Sequence, residues 1–268
     1  HKGVDKVTLI GSVGAGGAVM RAASDTLKPV LLELGGKNAL IAYPDSDPDK
    51  VANAIVAGMN FSWCGQSCGS TSRAFLHDDL HDAVVERLEA AVSRFKPGMP
   101  TDPATTMGAL VGREHFDRVM GYIASGKAEG ARVVTGGNAV TEGAMADGCF
   151  VEPTIFADVT PDMRVAREEI FGPVLVLRRW SDEGAMMDEV NGLDVGLTCS
   201  IWSKDLATAH RAAARAEAGF VWINEVGRHF LGAPFGGYKQ SGLGREEGIG
   251  ELISFTQEKN IHINLGGQ

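Results

Sequence analysis

The stretch Phe61-Ser-Trp-Cys-Gly-Gln-Ser-Cys-Gly-Ser-Thr-Ser-Arg73 connects a helical pattern to a short strand-like run, and the rest of the chain is organised around it. Before it, apolar residues recur every four positions from Val51 to Met59 and predict a helix that delivers the chain to Cys68. After it, Ala74–Leu76 has the apolar character of a buried strand. A thiol among small, turn-forming residues is a candidate nucleophile, because a substrate carbon can approach its sulfur closely. A buried free cysteine at the end of a core helix explains the local spacing equally well.

The amino-terminal region combines a strand-like run, a glycine-rich turn and a helical pattern. The run is Val7–Ile10, the turn is Gly11–Gly17, and the helical pattern covers Val19–Leu27. Such an arrangement can direct backbone N–H groups at a phosphate. The glycine spacing is G-x-x-G-x-G-G rather than G-x-G-x-x-G, so a plain tight turn remains an alternative to a phosphate site.

Glu33 is the unusual residue of the next apolar run, Val30–Leu34. The continuous apolar character of this run predicts a strand buried on both faces, as in a parallel sheet. A carboxylate at the end of such a strand needs a partner or has a raised pKa. Two interpretations follow: a general base at the carboxyl edge of a sheet, where α/β proteins bind ligands, or a side chain that turns to solvent.

The rest of the chain alternates helical and strand-like patterns. Asp47-Pro48 predicts an N-cap followed by a proline in the first helical turn. Further helical patterns lie at Leu80–Val92, Phe116–Ile123 and Leu206–Glu217, and strand-like runs lie at Ala131–Val134, Phe150–Phe156, Val174–Leu177, Phe220–Ile223 and Asn260–Leu265. The alternation predicts an α/β fold with a mainly parallel sheet flanked by helices. The last run predicts an edge strand that is open to pairing.

Composition and charge exclude several classes of protein. The 268 residues are 44% hydrophobic and 22% charged, which is typical of a globular protein with one large or two medium domains. The net charge of −9 provides no basic surface for nucleic acid or an anionic membrane, and no apolar run has membrane-spanning length. Four cysteines in a chain of this length do not make a disulfide framework, so we expect a reducing, cytoplasmic location.

The other histidines and cysteines have mainly structural interpretations. His77 and His81 have the i, i+4 spacing of a metal-binding helix face, but no third ligand is in register, so we predict no metal site. Cys64 and Cys68 could form a redox disulfide, although we favour Cys64 as a residue that lines the same pocket. The apolar surroundings of Cys149 and Cys199 predict buried core residues.

Two further polar motifs leave alternatives open. Glu168 and Glu169 precede Ile-Phe-Gly-Pro173, and adjacent acids before an apolar turn are usually solvated. The glycine-rich run Pro234–Gly242 carries two aromatic residues and is either the wall of a pocket or a surface turn.

Five blocks in this order resemble the carboxyl-terminal half of the NAD(P)-dependent aldehyde dehydrogenases. The blocks are Gly11-Ser12 after a strand, Leu32-Glu-Leu-Gly-Gly-Lys37, Gly65-Gln-Ser-Cys68, Glu168-Glu-Ile-Phe-Gly-Pro173 and Pro234-Phe-Gly-Gly-Tyr-Lys-Gln-Ser-Gly242. The similarity runs from about Val4 to the carboxyl terminus, and the set is far more specific than any single block. The resemblance implies the family's Rossmann-like catalytic domain with a remnant of its cofactor domain.

The resemblance also implies roles for individual residues. Cys68 would be the nucleophile, and Glu33 would activate the hydrolytic water. The residues implied to contact NAD or NADP are Gly11, Ser12, Gly16, Leu34, Glu169 and Phe171, and those implied to line the aldehyde pocket are Trp63, Cys64 and Phe235. Asn38-Ala39 replaces a frequent Ser-Pro or Asn-Pro pair, and we expect little effect from this departure.

The implied reaction is the oxidation of an aldehyde to a carboxylic acid through a thiohemiacetal and a thioester on Cys68. Because Cys68 follows a helix, we expect the negative end of the helix dipole to raise its pKa. Its activation would then depend on local N–H donors, the positive charge of the cofactor or Glu33. A base at Glu33 argues against the branch of the family in which coenzyme A replaces water.

The family's chain begins well before His1, so we expect a carboxyl-terminal fragment that is inactive alone. Residues 1–36 would be the last piece of the cofactor domain, 37–238 the catalytic domain, and 239–268 a return segment with a strand that joins a neighbouring subunit. The expected partners are a small-molecule aldehyde and further copies of the chain, as a dimer or a tetramer. Two rival hypotheses are a cofactor-independent cysteine thioesterase or hydrolase, and a non-catalytic oligomerising fragment.

Overall fold

The computed structural model describes residues 1–266, which form strands and helices in alternation. The strands in chain order are β1 (Val7–Ile10), β2 (Val30–Glu33), β3 (Ala39–Ala42), β4 (Arg73–His77), β5 (Arg132–Thr135), β6 (Thr154–Ala157), β7 (Val174–Trp180), β8 (Val195–Gly196), β9 (Thr198–Trp202), β10 (Phe220–Ile223), β11 (Tyr238–Lys239) and β12 (Gly242–Leu243). The helices are α1 (Val13–Ser24), α2 (Pro48–Gly58), α3 (Asp78–Val92), α4 (Arg113–Ala128), α5 (Arg164–Arg167), α6 (Glu183–Asn191), α7 (Leu206–Arg215) and α8 (Ile249–Ile253). Short 3₁₀ turns lie at Phe61–Trp63 and Gly143–Met145.

A seven-stranded sheet with the order β10-β9-β3-β4-β7-β6-β5 forms the centre of the molecule. Every neighbouring pair is parallel except β5 and β6, as the alternating pattern predicted. Successive residues of its central strands face opposite cores: Leu40 packs with residues of α2, α3 and α4, whereas Ile41 packs with residues of α6 and α7. Burial on both faces explains why these strands are continuously apolar.

A smaller sheet contains β1, β2 and β12 in that order. β1 and β2 are parallel, and β12 pairs antiparallel with the other edge of β2. This pairing brings residues 242–243 back to the amino-terminal region. A separate two-stranded ladder pairs β11, at the start of the return segment, with β8, which directly precedes β9 in the chain.

The glycine-rich segment after β1 is helical rather than an extended turn. Helix α1 begins at Val13, six residues earlier than predicted, because the Ser12 side chain caps it by accepting from Ala15 N at 3.2 Å. Gly16 permits this early start, since a Cβ there would lie 2.6 Å from the Leu34 side chain. The predicted pattern Val19–Leu27 therefore located the helix but not its bounds.

Two predicted strands are shorter than expected or absent. Phe150–Phe156 forms a strand only at Thr154–Ala157, because Pro153 has no N–H to donate and interrupts the ladder. Asn260–Leu265 forms no strand, and its apolar side chains are exposed. A strand needs a partner, and none of residues 1–266 pairs with this run.

Most other element bounds differ from the predictions by one to three residues, as at Leu206–Arg215 and Arg132–Thr135, whereas α4 ends five residues later than predicted. The predicted cap Asp47 is confirmed, with its carboxylate accepting from the N–H groups of Asp49 and Lys50. Within residues 1–266, no helix combines the length and the apolar composition that crossing a membrane requires.

Candidate active site

A cleft of about 460 Å³ opens between the two sheets. It lies at the carboxyl ends of β1 and β2 and before the amino end of β4. Its lining residues are Ile10, Gly11, Ser12, Glu33, Gly35, Trp63, Gln66, Ser67, Cys68, His115, Arg118, Glu169 and Phe171. Four separate motifs of the sequence therefore converge on one cavity.

The loop that carries Cys68 is tightly folded. Helix α2 ends at Gly58, ten residues before Cys68, and the chain then passes through left-handed backbone at Asn60, Cys64 and Gly65. Gly65 is required by space as well as by its φ of 64°, because a Cβ there would lie 2.2 Å from the Gly172 carbonyl oxygen. Helix α2 therefore leads, as predicted, into the loop that contains the thiol, and ten residues of tightly folded loop separate its end from Cys68.

Burial raises the pKa of the Cys68 thiol to about 12, and the neighbouring Glu33 carboxylate adds to this increase. The Gly69 N–H opposes the increase. The expected cause was the dipole of α2, but ten residues separate that helix from the thiol. Among the acidic groups that line the cleft, Glu33 raises the pKa of the thiol more than Glu169 does.

Glu33 is the last residue of β2 and is only 2% exposed, so the interpretation of a side chain in solvent is wrong. Burial raises its pKa to about 7, and the Cys68 thiol limits this rise. Its Oε1 atom has no hydrogen-bond partner in residues 1–266. A carboxyl with a pKa near neutrality can both accept and return a proton.

The two adjacent acids, Glu168 and Glu169, have different environments. Glu168 is exposed, and hydrogen bonds from Arg164 and Tyr122 hold its pKa well below the usual value. Glu169 lines the cleft, and its Oε1 accepts from Gly36 N at 3.0 Å. Burial raises the pKa of Glu169. Only Glu168 fits the solvated interpretation.

Two side chains of helix α4 form hydrogen bonds with the backbone of Glu169 and Phe171. His115 Nε2 donates to the Phe171 carbonyl oxygen at 2.7 Å, and Arg118 Nη2 donates to the Glu169 carbonyl oxygen at 2.9 Å. Phe171 has a left-handed φ of 55°, and its ring is partly exposed in the cleft. The two bonds stabilise this backbone where a non-glycine residue would otherwise be strained.

The comparisons with known proteins agree with this geometry. A family model described as the aldehyde dehydrogenase family matches residues 1–261. The chain belongs to the aldehyde dehydrogenase family.

Individual members of the family match over almost the whole chain. The chain is 56% identical to aldehyde dehydrogenase tropH of Talaromyces stipitatus, with 100% of this chain and 53% of that protein covered. It is 42% identical to a betaine aldehyde dehydrogenase of Brucella anthropi, with 99% and 54% covered. The chain thus spans about half the length of these curated relatives.

Solved structures of the family have the same fold. An NAD⁺ complex of an aldehyde dehydrogenase from Bacillus cereus matches with a TM-score of 0.94 and 38% identity, covering 99% of this chain and 53% of that one. An NAD-dependent aldehyde dehydrogenase from Sinorhizobium meliloti matches with a TM-score of 0.93 and 38% identity, covering 99% and 52%. The mainly parallel α/β fold is therefore that of the aldehyde dehydrogenases.

Four residues that the resemblance implied as site residues do not line the cleft of this aldehyde dehydrogenase chain. Gly16 and Leu34 pack against each other between α1 and β2. Cys64 is buried and its thiol donates to the Gly108 carbonyl oxygen at 3.1 Å, away from Cys68. Phe235 is buried against Phe220 and His229. Contacts outside the cleft hold all four residues in place.

The glycine-rich run Pro234–Gly242 also lies outside the cleft lining, so its interpretation as a wall of this pocket is wrong. It supports the site through Ser241, which is fully buried. Ser241 Oγ donates to the Gly35 carbonyl oxygen at 2.7 Å, and Leu34 N donates to the Ser241 carbonyl oxygen at 2.9 Å. The run therefore anchors the end of the strand that carries Glu33.

Several other residues have positions that the sequence did not indicate. Gln66, His115 and Arg118 line the cleft, and no pattern marks the two α4 residues, because they lie on an otherwise ordinary helix.

Cys149 is half-buried rather than in the core, whereas Cys199 is buried as predicted. His77 caps α3 by accepting from Asp79 N, and the buried His81 contacts Asp82.

Proposed function

We propose that this chain carries the catalytic residues of an NAD(P)-dependent aldehyde dehydrogenase that oxidises a small aldehyde to a carboxylic acid. The observation that carries the proposal is the location of Cys68 and Glu33 in one cleft, where each changes the pKa of the other. A buried thiol next to a carboxyl with a pKa near neutrality is a nucleophile with its own base.

The reaction starts from the Cys68 thiolate, and the Gly69 N–H favours this anion against the burial and the Glu33 charge that together raise the pKa of the thiol to about 12. The thiolate then attacks the aldehyde carbon, and a C–S bond forms as the carbonyl oxygen becomes an oxyanion. The Cys68 backbone N–H has no acceptor in residues 1–266 and is free to donate to this oxyanion. Loss of hydride from the carbon leaves a thioester on Cys68.

The second half of the reaction is hydrolysis. Glu33 takes a proton from water, and the resulting hydroxide attacks the thioester carbon. The C–S bond breaks, the carboxylic acid leaves and the thiol is restored. A general base in this role typically contributes about 10²–10⁴-fold to the rate.

Several lining residues of the cleft fit a nicotinamide dinucleotide. Gly11 and Ser12, the N-cap of α1, line the cleft, and the phosphates would lie against them. The Glu169 carboxylate can accept hydrogen bonds from the hydroxyl groups of the ribose, and the exposed face of Phe171 can pack beside the nicotinamide. When bound, the cofactor supplies the acceptor for the hydride.

Chimaeras test this function, because the chain spans about half the length of its curated relatives. The amino-terminal half of the Talaromyces relative, fused to residues 1–268, should yield an enzyme that forms reduced nicotinamide only when an aldehyde is added. Cys68→Ser should abolish this activity, and the matched control Cys149→Ser, outside the cleft, should retain it. Retention of activity in Cys68→Ser would refute the proposal.

Glu33→Gln in the chimaera separates the two halves of the reaction. The amide keeps the shape of the carboxylate but cannot accept a proton, so a rapid burst of reduced cofactor should remain while turnover falls by about 10²–10⁴-fold. Equal loss of burst and turnover would place Glu33 in thiol activation instead. Ester hydrolysis without a nicotinamide cofactor would favour the rival thioesterase.

The 268-residue chain by itself should not oxidise aldehydes. Its cleft offers groups for the phosphates, the ribose and the nicotinamide ring. Losing further contacts to a dinucleotide weakens the binding free energy, and about every 1.4 kcal/mol lost lowers the affinity tenfold. Calorimetric titration with NAD⁺ should therefore show weak binding. Micromolar binding together with aldehyde turnover would contradict this expectation.

A further inference from the structure

Asn38 makes three hydrogen bonds between elements that are distant in the sequence. It precedes β3, is buried, and directs its carboxamide at the loop that contains the nucleophile. Its Nδ2 donates to the carbonyl oxygens of Cys68 at 2.6 Å and Ser70 at 3.0 Å. Its Oδ1 accepts from Thr198 N at 3.0 Å.

These bonds extend the sheet beyond the ends of its strands. The Asn38 carbonyl oxygen accepts from Arg73 N, where β4 begins, and the side chain continues the pairing back to Ser70 and Cys68. A short, planar group with two N–H donors and one acceptor is required at this point. Serine has one hydroxyl donor and alanine has none, so neither can reproduce the set.

We propose that Asn38 is a positioning residue that holds the Cys68 carbonyl and thereby keeps the thiol buried in the cleft next to Glu33. The proposal rests on the proposed function for its relevance to catalysis, but it can be measured on the thiol alone.

Loss of the carboxamide leaves the Cys68 and Ser70 carbonyl oxygens without their donor. The loop should then relax toward solvent, which removes part of the burial that raises the pKa of Cys68 and increases its distance from the Glu33 charge. Both changes make the thiolate easier to form. Removing Asn38 should therefore make the thiol titrate at a lower pH, whereas a residue that only stabilises the fold would not shift the titration.

Alkylation of the 268-residue chain by iodoacetamide, followed by peptide mass spectrometry, measures this effect from neutral to alkaline pH. At neutral pH the Cys68 rate should rise about threefold for each unit by which its pKa falls, because a larger thiolate fraction is partly offset by lower nucleophilicity. The alkylation rate of Cys68 should increase from the parent chain to Asn38→Ser and be highest in Asn38→Ala. The half-buried Cys149 is the internal reference.

Asn53→Ala is the matched control, because Asn53 is an exposed asparagine whose Nδ2 donates to the Asp49 carbonyl oxygen at 2.9 Å. It should leave the Cys68 profile unchanged. A lower melting temperature in Asn38→Ala with an unchanged Cys68 profile would overturn the proposal. Asn38→Ser retains one donor and provides the same comparison if Asn38→Ala does not fold.

Repeating the measurement in the Glu33→Gln variant tests whether Asn38 keeps the Cys68 thiol next to Glu33. Part of the shift caused by Asn38→Ala should disappear there, because the carboxylate charge is already gone. An equal shift in both backgrounds would contradict the placement next to Glu33. Alkylation needs neither aldehyde nor cofactor, so an inactive chimaera would refute the proposed function and leave this result unaffected.

Discussion

The two sheets differ in how completely their faces are covered. The seven-stranded sheet has helices on both faces, and residues such as Leu40 and Ile41 are fully buried on opposite sides. In the three-stranded sheet, β1 alternates between half-buried and exposed residues, and Ile10 is 65% exposed. Helix α1 buries only Gly16 and Ala23. Parallel strands normally need cover on both faces, so the large sheet should determine the global stability and the small one should add little.

Truncating one isoleucine in each sheet gives the largest expected difference. Ile41→Ala in β3 should lower the free energy of unfolding by about 2–5 kcal/mol, because it leaves a cavity in a closed core. Ile10→Ala in β1 should change it by less than about 0.5 kcal/mol. Urea denaturation followed by circular dichroism measures both. Equal effects would mean that the small sheet folds as one unit with the large one.

Glu33 and Lys37 lie on the segment between the sheets and should make stability depend on pH in opposite ways. Both are 2% exposed. Burial raises the pKa of Glu33 to about 7, while burial and the Arg73 charge lower the pKa of Lys37 to about 7. The unfolded chain therefore binds fewer protons than the native state at Glu33 below neutrality, and more protons at Lys37 above neutrality.

Stability should consequently fall from pH 4.5 to about 7 because of Glu33 and rise from about 7 to 10.5 because of Lys37. Glu33→Gln should remove the fall and Lys37→Met the rise, each on the order of 2 kcal/mol. Melting temperatures across this range test both, with Lys50→Met, at an exposed lysine of α2, as the control. If the melting temperature of the parent chain does not change with pH across this range, the shifted pKa values of Glu33 and Lys37 are contradicted.

The helix caps provide the smallest comparison. Asp182 in α6 and Ser12 in α1 each accept from the N–H three residues later, at 2.7 Å and 3.2 Å. Asp182→Ala should cost about 1 kcal/mol, because α6 packs on the large sheet through Met186, Met187 and Val190. Ser12→Ala should leave global unfolding within about 0.5 kcal/mol and only accelerate hydrogen exchange in α1. Equal protection of α1 and α6 from hydrogen exchange would contradict the expected difference between the two helix caps.

Local sequence signals predicted the parts of the fold that local interactions stabilise. Val7–Ile10 and Phe220–Ile223 have the predicted bounds, and Asp47 caps α2 as its position before Pro48 indicated. The glycines after β1 suggested a turn, but Ser12 starts a helix there because Gly16 allows α1 to approach Leu34. The run Asn260–Leu265 has a strand pattern, but a strand also needs a partner.

The site divides in the same way. The amino-acid sequence by itself determined that Cys68 lies in a loop of small residues and that Glu33 ends an apolar strand, since both follow from neighbours in the chain. Only the tertiary structure decided that these residues share a cleft, that Phe235 and Cys64 point into the core, and that Asn38 connects positions 68 and 198. Burial, pKa and side-chain direction depend on contacts between residues far apart in the sequence, and periodicity along the chain carries no information about them.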